Sequence, residues 1–282
     1  MHDIFFFTDI HGSRPLFDAI MNYCREQDPE ATIIFGGDAM DRGKDGYAIM
    51  KELLDNPKVV YLMGNHEDMF CKAAREIKAE LEFKENATRT QIRDIIYWCR
   101  GYDERYLAIQ DVLYNGGIET LTDWVVDGMP MELVERIEKL PRTFSYENKD
   151  FCHAAGVYRT FKEVADAEYE GKTPDEYAAT SVIWSRTGLN IGWAPNRIAI
   201  FGHTPVECLP QFVSMVLDED EETAPVMYRC NTMPEMTGWK LNMDTGAIFH
   251  GVAYVLNILT MQAQGLKLNE NDDVEEIECI QF

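Results

Sequence analysis

Short apolar runs alternate with helical patterns along most of the chain. Four of these runs occupy residues 4–7, 32–35, 59–63 and 198–201, and they are rich in phenylalanine, isoleucine and valine. Runs of this length, bounded by polar residues and glycines, are typical of strands buried in a sheet. A longer run at residues 252–259 predicts another strand near the end of the chain.

Apolar residues at helical spacing fill the stretches between the first strands. Leu16, Phe17 and Ile20 share one face of a predicted helix, which Ser13 can cap and which has Pro15 in its first turn. A second helical pattern covers residues 47–54, and from residue 68 to about 140 the pattern is helical and charged throughout. Strands that alternate with helices in this way predict an α/β fold.

Five short polar clusters carry the candidate chemistry. They occupy residues 9–12, 37–43, 64–67, 153–156 and 202–204, and most of them directly follow a predicted strand. We therefore expect their Asp, Asn and His side chains to meet at one edge of a sheet. Carboxylate, amide and imidazole ligands suit Mn, Fe or Zn. Two such ions roughly 3.5–4 Å apart can hold both the attacking and the leaving oxygen of a phosphoryl transfer, so the pattern predicts a two-metal hydrolase.

The clusters match the motifs of a known family in the same order. With Thr8 included in the first, they read TDIHG, GDAMDRG, GNHE, HAAG and GHT. With these motifs the chain resembles the calcineurin-like metallophosphoesterases, and within them the phosphoprotein phosphatase branch with its bacterial and phage members. The resemblance spans roughly residues 4–260. It implies an α/β fold in which two packed mixed sheets form a central sandwich flanked by helices.

The resemblance also implies two divalent metal ions. Their six ligands would be Asp9, His11, Asp38, Asn65, His153 and His203. Asp9 and His11 would bind the first ion, Asp38 would bridge both, and the other three would complete the second site. Manganese is the favoured metal, and iron and zinc are the alternatives.

The same motifs imply the catalytic and phosphate-binding residues. His66 would not bind metal; paired with Asp41, it would protonate the leaving oxygen. Arg42 would hold the substrate phosphate, and Arg186 matches a second phosphate-binding arginine. Arg42 could instead form a surface ion pair, and Arg186 belongs to a short match that a structural salt bridge would also explain.

These assignments imply the hydrolysis of phosphate monoesters by direct attack of a metal-bridging hydroxide. The predicted substrates are phosphoserine and phosphothreonine proteins. Symmetrical dinucleoside tetraphosphatases, which hydrolyse diadenosine tetraphosphate, are an alternative, but they typically lack the aspartate that Asp41 supplies here. A catalytically silent binding module is a further alternative, and the complete ligand set speaks against it.

Two positions depart from the family motifs. Thr8 and Ala155 each stand where the family usually has glycine. A Cβ at Ala155 could restrict the approach of the backbone to the metals, so this substitution bears on the ligand His153.

The order of the candidate ligands bears on domain organisation. They are interleaved from residue 9 to residue 203, so a division of the chain would split the site. We therefore expect one domain over residues 1–282, with a helical, cap-like insertion at about 68–140 and an acidic tail at about 269–282.

The net charge of −23 limits the possible partners. Much of it lies in residues 218–222 and 270–278, and such acidic runs are usually solvated loops or tails. Selection for a basic phosphoprotein is the functional alternative. No basic stripe exists to neutralise a nucleic-acid backbone, so we expect a phosphoprotein or a small phosphorylated substrate and no nucleic acid. The oligomeric state is not indicated.

Cysteine usage and the apolar runs indicate the compartment. Seven cysteines, an odd number without a Cys-x-x-Cys pair, argue for a reducing environment. No apolar run approaches the ~20 residues of a membrane span, and the first run is too short for a signal peptide. We therefore expect a cytoplasmic enzyme that does not enter membranes.

Overall fold

A six-stranded and a five-stranded mixed sheet pack face to face in the computed structural model, which describes residues 2–101, 103–218, 221–230 and 235–282. The strands are β1 (Ile4–Phe7), β2 (Thr32–Phe35), β3 (Val59–Tyr61), β4 (Thr143–Tyr146), β5 (Lys149–Cys152), β6 (Ile198–Phe201), β7 (Val226–Tyr228), β8 (Trp239–Asn242), β9 (Val252–Asn257), β10 (Gln262–Leu268) and β11 (Val274–Gln281).

Helices flank the sheets. The α-helices are α1 (Arg14–Gln27), α2 (Gly46–Asp55), α3 (Asn65–Glu80), α4 (Arg89–Trp98), α5 (Leu107–Tyr114), α6 (Ile118–Val126), α7 (Met131–Ile137), α8 (Tyr158–Tyr169), α9 (Glu176–Trp184) and α10 (Ala247–His250). Short 3₁₀ helices cover Glu104–Tyr106, Thr187–Asn190 and Val206–Gln211.

Both sheets have parallel strands at the centre and antiparallel strands beside them. The first has the order β11-β10-β9-β1-β2-β3, in which β1, β2 and β3 are parallel and β9, β10 and β11 form an antiparallel meander. The second has the order β4-β5-β6-β8-β7, in which β5, β6 and β8 are parallel. The parallel strands of each sheet bring the loops at their carboxyl ends to one edge of that sheet.

Apolar residues on both faces of the central strands explain why these runs do not alternate with polar residues. Phe5 and Phe7 of β1 face the core under the helices, whereas Phe6 faces the second sheet, where its ring centroid lies 5.5 Å from that of Phe151. A strand covered on both faces must be apolar at consecutive positions. This double coverage confirms the strands predicted at residues 4–7 and 32–35.

Between β3 and β4, the described residues form helices and no strands. The α-helices of this segment are α3 to α7. Helix α3 begins at Asn65, directly within one of the polar motifs, and its buried residues include Phe70, Ala73 and Ile77. It packs against α5 and α7, while α4 packs against α6. The apolar side chains of this segment join the core that also covers the first sheet.

The end of the chain differs from the expected acidic tail. Residues Val274–Gln281 form β11, which pairs with β10 at the edge of the first sheet. Val274, Ile277 and Ile280 are half-buried, and the glutamates between them are exposed. The acidic residues thus lie on the solvent side of an edge strand. Among the described residues, no helix has both the length and the apolar character that a membrane span requires.

Candidate active site

The polar clusters meet at the carboxyl ends of the parallel strands. Loops after β1, β2, β3, β5 and β6 contribute them, and the side chains brought together are Asp9, His11, Asp38, Asn65, His66, His153 and His203. Each of these residues is at most 8% exposed, so a group of ionisable side chains is packed where water scarcely reaches. Such a cluster requires either mutual pairing or a bound cation.

Asp38 lies at the centre of the cluster. Its Oδ2 is 3.6 Å from His11 Nε2 and 3.7 Å from His66 Nε2, and its Oδ1 is 3.4 Å from His153 Nε2. Two groups therefore have ligand atoms within 4.8 Å of one another: His11, Asp38 and His66, and Asp38, His153 and His203. The carboxylate of Asp38 therefore belongs to both groups.

Asn65 completes the second group. Its Oδ1 lies 3.0 Å from His153 Nε2 and 2.8 Å from His203 Nδ1. An amide oxygen, a carboxylate and two imidazole nitrogens thus point to a common centre, and this is a donor set that suits a first-row divalent ion.

The outward nitrogens of three histidines are bound to backbone carbonyls. His11 Nδ1 donates to Met40 O at 2.9 Å, and His153 Nδ1 donates to Gly36 O at 2.9 Å. His203 Nε2 lies 3.1 Å from the carbonyl of Trp184. Since a carbonyl only accepts, each ring keeps a proton on that side, and in the neutral ring the lone pair lies on the inward nitrogen. This arrangement fixes the tautomer of metal-binding histidines, so these residues fit a metal centre.

Burial and mutual charge set the protonation of these groups. Burial lowers the pKa of His11 and of His203 well below the usual value, which keeps both rings neutral. Burial opposes the ionisation of Asp38, but the nearby charges of His153 and His66 hold its pKa well below the ordinary range. Burial lowers the pKa of His153, but the carboxylates of Asp38 and Asp9 outweigh it and raise the pKa to about 10. Asp38 is thus ionised and His11 and His203 are neutral, as metal binding needs, whereas His153 has to release a proton when it binds a metal.

Asp9 lies in the cluster but turns its carboxylate to neighbouring donors. The Thr8 hydroxyl donates to Asp9 Oδ2 at 2.6 Å, and the His203 amide lies 3.1 Å from each carboxylate oxygen. Burial raises the pKa of Asp9 to about 6. Asp9 is absent from both groups of convergent ligand atoms among the described residues, and its assignment as a metal ligand stays a prediction.

The two departures from the family motifs are accommodated without left-handed backbone. Thr8 and Ala155 are not among the described residues with positive φ, so a Cβ is tolerated at both. The Thr8 side chain packs against Gly36 of the loop after β2. A Cβ at Gly36 would lie 2.6 Å from Thr8 Oγ1, so the glycine leaves room for the threonine. Ala155 is 2% exposed, and its carbonyl faces Gly188.

His66 differs from the other histidines in its outer partner. Its Nδ1 lies 2.7 Å from Asp41 Oδ2, and both side chains are almost fully buried. Burial lowers the pKa of His66, but the carboxylates of Asp38 and Asp41 outweigh it and raise the pKa overall. A protonated imidazole oriented by a carboxylate is the arrangement of a general acid. Its Nε2 nonetheless lies within reach of the first group of ligand atoms.

The two candidate phosphate-binding arginines occupy different positions. Arg42 Nη1 lies 2.8 Å from His11 Nε2, and Arg42 Nη2 lies 3.4 Å from His66 Nε2, so its guanidinium is inside the site. Arg186 contacts the rim, where its Nη2 is 3.5 Å from His203 O. The geometry brings Arg42 to the reacting centre more closely than Arg186.

Left-handed backbone is concentrated in these loops. Eleven non-glycine residues with positive φ occur in the described chain, and six of them belong to the site: Asp9, His11, Asp38, Asp41, Arg42 and His203. Residues with a Cβ are disfavoured in this conformation and persist where surrounding contacts hold them. These turns reverse the chain within a few residues and thereby direct the polar side chains into the site.

One residue that holds these turns received no role from the sequence. Glu67 is fully buried, and its carboxylate accepts hydrogen bonds from the amides of Asp38, Ala39 and Gly64 and from the hydroxyl of Tyr61, at 2.7–2.9 Å. It thus ties the Asp38 loop to the start of α3. Its place in the third polar cluster was the available signal, since a glutamate in a buried helical turn needs several donors.

Comparison with known proteins agrees with this geometry. The model of the calcineurin-like phosphoesterase family matches residues 2–207. The chain belongs to the calcineurin-like phosphoesterase family. Its resemblance to that family is thereby confirmed, as is the α/β fold.

Individual relatives of this calcineurin-like phosphoesterase are distant. Human serine/threonine-protein phosphatase with EF-hands 2 is 28% identical over 145 residues, which is 46% of this chain and only 17% of that protein. A cold-active protein-tyrosine phosphatase of a Shewanella species is similar at a TM-score of 0.45 and 13% identity, covering 99% of this chain and 81% of the other. A serine/threonine phosphatase of Saccharomyces cerevisiae is similar at 0.44 and 13%, covering 100% and 81%. These likenesses leave the substrate open.

Proposed function

We propose that this phosphoesterase is a dinuclear-metal phosphatase that hydrolyses phosphate monoesters, chiefly phosphoserine and phosphothreonine in proteins. The observation that carries the proposal is the position of Asp38, which belongs to two adjacent groups of ligand atoms and also lies beside the His66–Asp41 pair. Metal binding and proton donation would thereby act on the same phosphate ester, with the proton going to its leaving oxygen.

The roles of the chain's own residues follow from this arrangement. The ligands would be Asp9, His11, Asp38, Asn65, His153 and His203, with manganese as the favoured metal. When bound, two divalent ions lower the pKa of a coordinated water and neutralise charge on the phosphate. Arg42 would bind the phosphate oxygens, and Arg186 would assist at the rim. The backbone carbonyls of Met40, Gly36 and Trp184 would keep the histidines oriented.

His66 would act as the general acid in this proposal. Its raised pKa keeps a proton on the ring, and Asp41 holds that ring with Nε2 turned to the site. A departing alkoxide from serine or threonine is a poor leaving group, so a positioned proton donor contributes most for such substrates. No cysteine nucleophile is needed in this reaction.

Symmetrical dinucleoside tetraphosphate hydrolysis is the second candidate. The intact Asp41 and its 2.7 Å contact with His66 favour the monoesterase over it, because the pair would be superfluous for an easily expelled nucleotide. A silent binding module is disfavoured since all six candidate ligands are present. The free state of the cysteines supports a reducing compartment, and we propose the cytoplasm.

The proposal is tested with metal-loaded protein and a panel of phosphopeptides, nitrophenyl phosphate, diadenosine tetraphosphate and mononucleotides. Chelation should abolish phosphatase activity and Mn should restore it. Activity that survives exhaustive chelation would contradict metal dependence. A preference for diadenosine tetraphosphate over every phosphopeptide would support the second candidate instead.

Asp41→Asn separates acid catalysis from metal binding. The change should reduce kcat/KM for phosphoserine and phosphothreonine peptides more than for nitrophenyl phosphate, whose leaving group scarcely needs a proton. All six metal ligands stay in place, so bound metal should be retained. Equal losses on both substrates would mean that Asp41 serves the fold or the metal shell.

A further inference from the structure

A large aromatic side chain is exposed beside the candidate active site. Phe249 lies in the short helix α10, and it is 62% exposed although Ala247 at the start of that helix is buried. Single exposed aromatic side chains are common on protein surfaces, so the exposure of Phe249 alone does not indicate a function. Phe249 is distinguished by its contact with Arg42, whose guanidinium carbon lies 5.2 Å from the centroid of the phenyl ring.

The turn that presents Phe249 is held in place at both ends. Gly246 and Gly251 flank α10 in the left-handed conformation, with φ of 69° and 65°. The Gly246 amide donates to Asp244 Oδ1 at 3.0 Å, and the Phe249 amide donates to Gly246 O at 2.8 Å. The ring therefore stands on a fixed turn, and little ordering would be needed for it to receive a ligand.

Arg42 lies between this ring and the reacting centre. Its Nη atoms face His11 and His66, whereas the same guanidinium contacts Phe249. A phosphate bound by Arg42 next to Asp38 must carry its ester group away from the metal ligands. Phe249 borders the outward side of that arginine, so the first few atoms of the ester group would pass its ring.

We propose that Phe249 contacts the leaving group of the substrate and lets the site accept an aryl ester, such as the ring of phosphotyrosine, in addition to the alkyl esters of phosphoserine and phosphothreonine. This inference rests on the proposed monoesterase function and extends it from phosphoserine and phosphothreonine to phosphotyrosine. An aryl ring is joined to the phosphate by a single oxygen and would lie next to Phe249, where aromatic pairs stack offset or edge to face.

The test compares two peptides of identical sequence that carry phosphotyrosine or phosphoserine. Phe249→Ala should lower the ratio of kcat/KM for the phosphotyrosine peptide to kcat/KM for the phosphoserine peptide by roughly 3- to 10-fold, the range expected for loss of one aromatic pair. Phe249→Tyr keeps the ring and should retain most of the ratio. Tyr169→Ala removes an aromatic side chain that is 93% exposed on α8 and is the matched control.

Inhibition by inorganic phosphate distinguishes direct contact from an effect through Arg42. Phosphate has no leaving group, so its inhibition constant should change far less in Phe249→Ala than the peptide ratio does. An equal rise in the inhibition constant and in KM for both peptides would show that Phe249 only supports Arg42, which overturns the proposal. A ratio that does not change in a variant with wild-type thermal stability also overturns it.

Failure of the underlying function gives a different result. A metal-loaded wild type that hydrolyses neither peptide would reject the monoesterase proposal and, with it, the role of Phe249. A wild type that hydrolyses both peptides, with the same ratio in Phe249→Ala and Tyr169→Ala, would reject the role of Phe249 alone.

Discussion

The loops at the carboxyl ends of the strands and the helices α3 to α7 use charged residues in opposite ways. In the loops, Asp9, Asp38 and His153 are buried, and non-glycine residues adopt left-handed backbone. In the helices beyond the first turn of α3, charged side chains form exposed pairs such as Arg75–Glu138, and most buried side chains are apolar. Function and stability are thus concentrated in different parts of one chain.

The physical reason is the cost of burying unpaired charge. Buried carboxylates and histidines cost free energy unless they are paired or bind a cation, whereas apolar burial stabilises the fold directly. We therefore expect substitutions in the loops to change metal binding and turnover with modest effects on stability. We expect substitutions in the helical core to do the reverse.

The sharpest test within the loops compares Asp38→Asn with His66→Asn. Asp38→Asn should lose bound metal, because its two oxygens face both groups of ligand atoms. His66→Asn should keep the metal and slow turnover by roughly 10²–10⁴-fold, the usual effect of a lost general acid. Metal content by elemental analysis and kcat on a phosphopeptide are the measurements. If metal falls equally in both variants, His66 is a ligand and the assignment of its role is wrong.

A core substitution in the helices tests the other half of the comparison. Ile96 of α4 is fully buried, so Ile96→Ala should lower the free energy of unfolding by about 2–5 kcal/mol through lost burial and a residual cavity. Chemical denaturation of the metal-free protein measures this loss. Below the unfolding transition, kcat and metal content per folded molecule should match the wild type. A large fall in kcat would mean that the helical segment controls the site.

A buried lysine outside the site tests whether an uncompensated charge destabilises this fold. Lys240 of β8 is 1% exposed, and its Nζ lies 5.0 Å from the ring centroid of Trp193 and 3.5 Å from Gly156 O. Burial lowers its pKa from 10.5 to about 8. Below pH 8 both folded and unfolded states carry the proton, so the folded state bears the full cost of burying the charge.

Between pH 8 and 10.5 the unfolded state binds more protons than the folded state, and stability rises with pH. From pH 7 to 10 the wild type should therefore gain roughly 2–3 kcal/mol of unfolding free energy relative to Lys240→Met. The difference between the two proteins in urea unfolding, taken at several pH values, isolates Lys240 from other titrating groups. The exposed Lys84 offers a control, since Lys84→Met should show no such trend. A constant difference would mean that folding does not lower the pKa of Lys240, as for a lysine that stays well solvated.

The sequence allowed many elements to be predicted because their signals are local. Strands β1, β2 and β6 have the predicted bounds, and α1 follows Ser13 as expected. The strand predicted at residues 59–63 ends at Tyr61 instead. Leu62 and Met63 are buried, but Met63 donates to Pro141 O outside the sheet. An apolar run in the sequence indicates that its residues are buried. Hydrogen bonding to a neighbouring strand decides where the strand ends.

The sequence by itself determined the class of chemistry, since the types and order of Asp9, His11, Asp38, Asn65, His153 and His203 imply a metal-dependent phosphoesterase. The tertiary structure decided how these side chains are arranged relative to one another. It placed Asp38 between two groups of ligands, turned Asp9 towards Thr8, and set the Glu67 carboxylate under the Asp38 loop. These contacts join residues that are far apart in the chain or turn side chains by left-handed backbone, so no local pattern records them. The position of Phe249 over Arg42, more than two hundred residues away, likewise exists only once the sheets have packed.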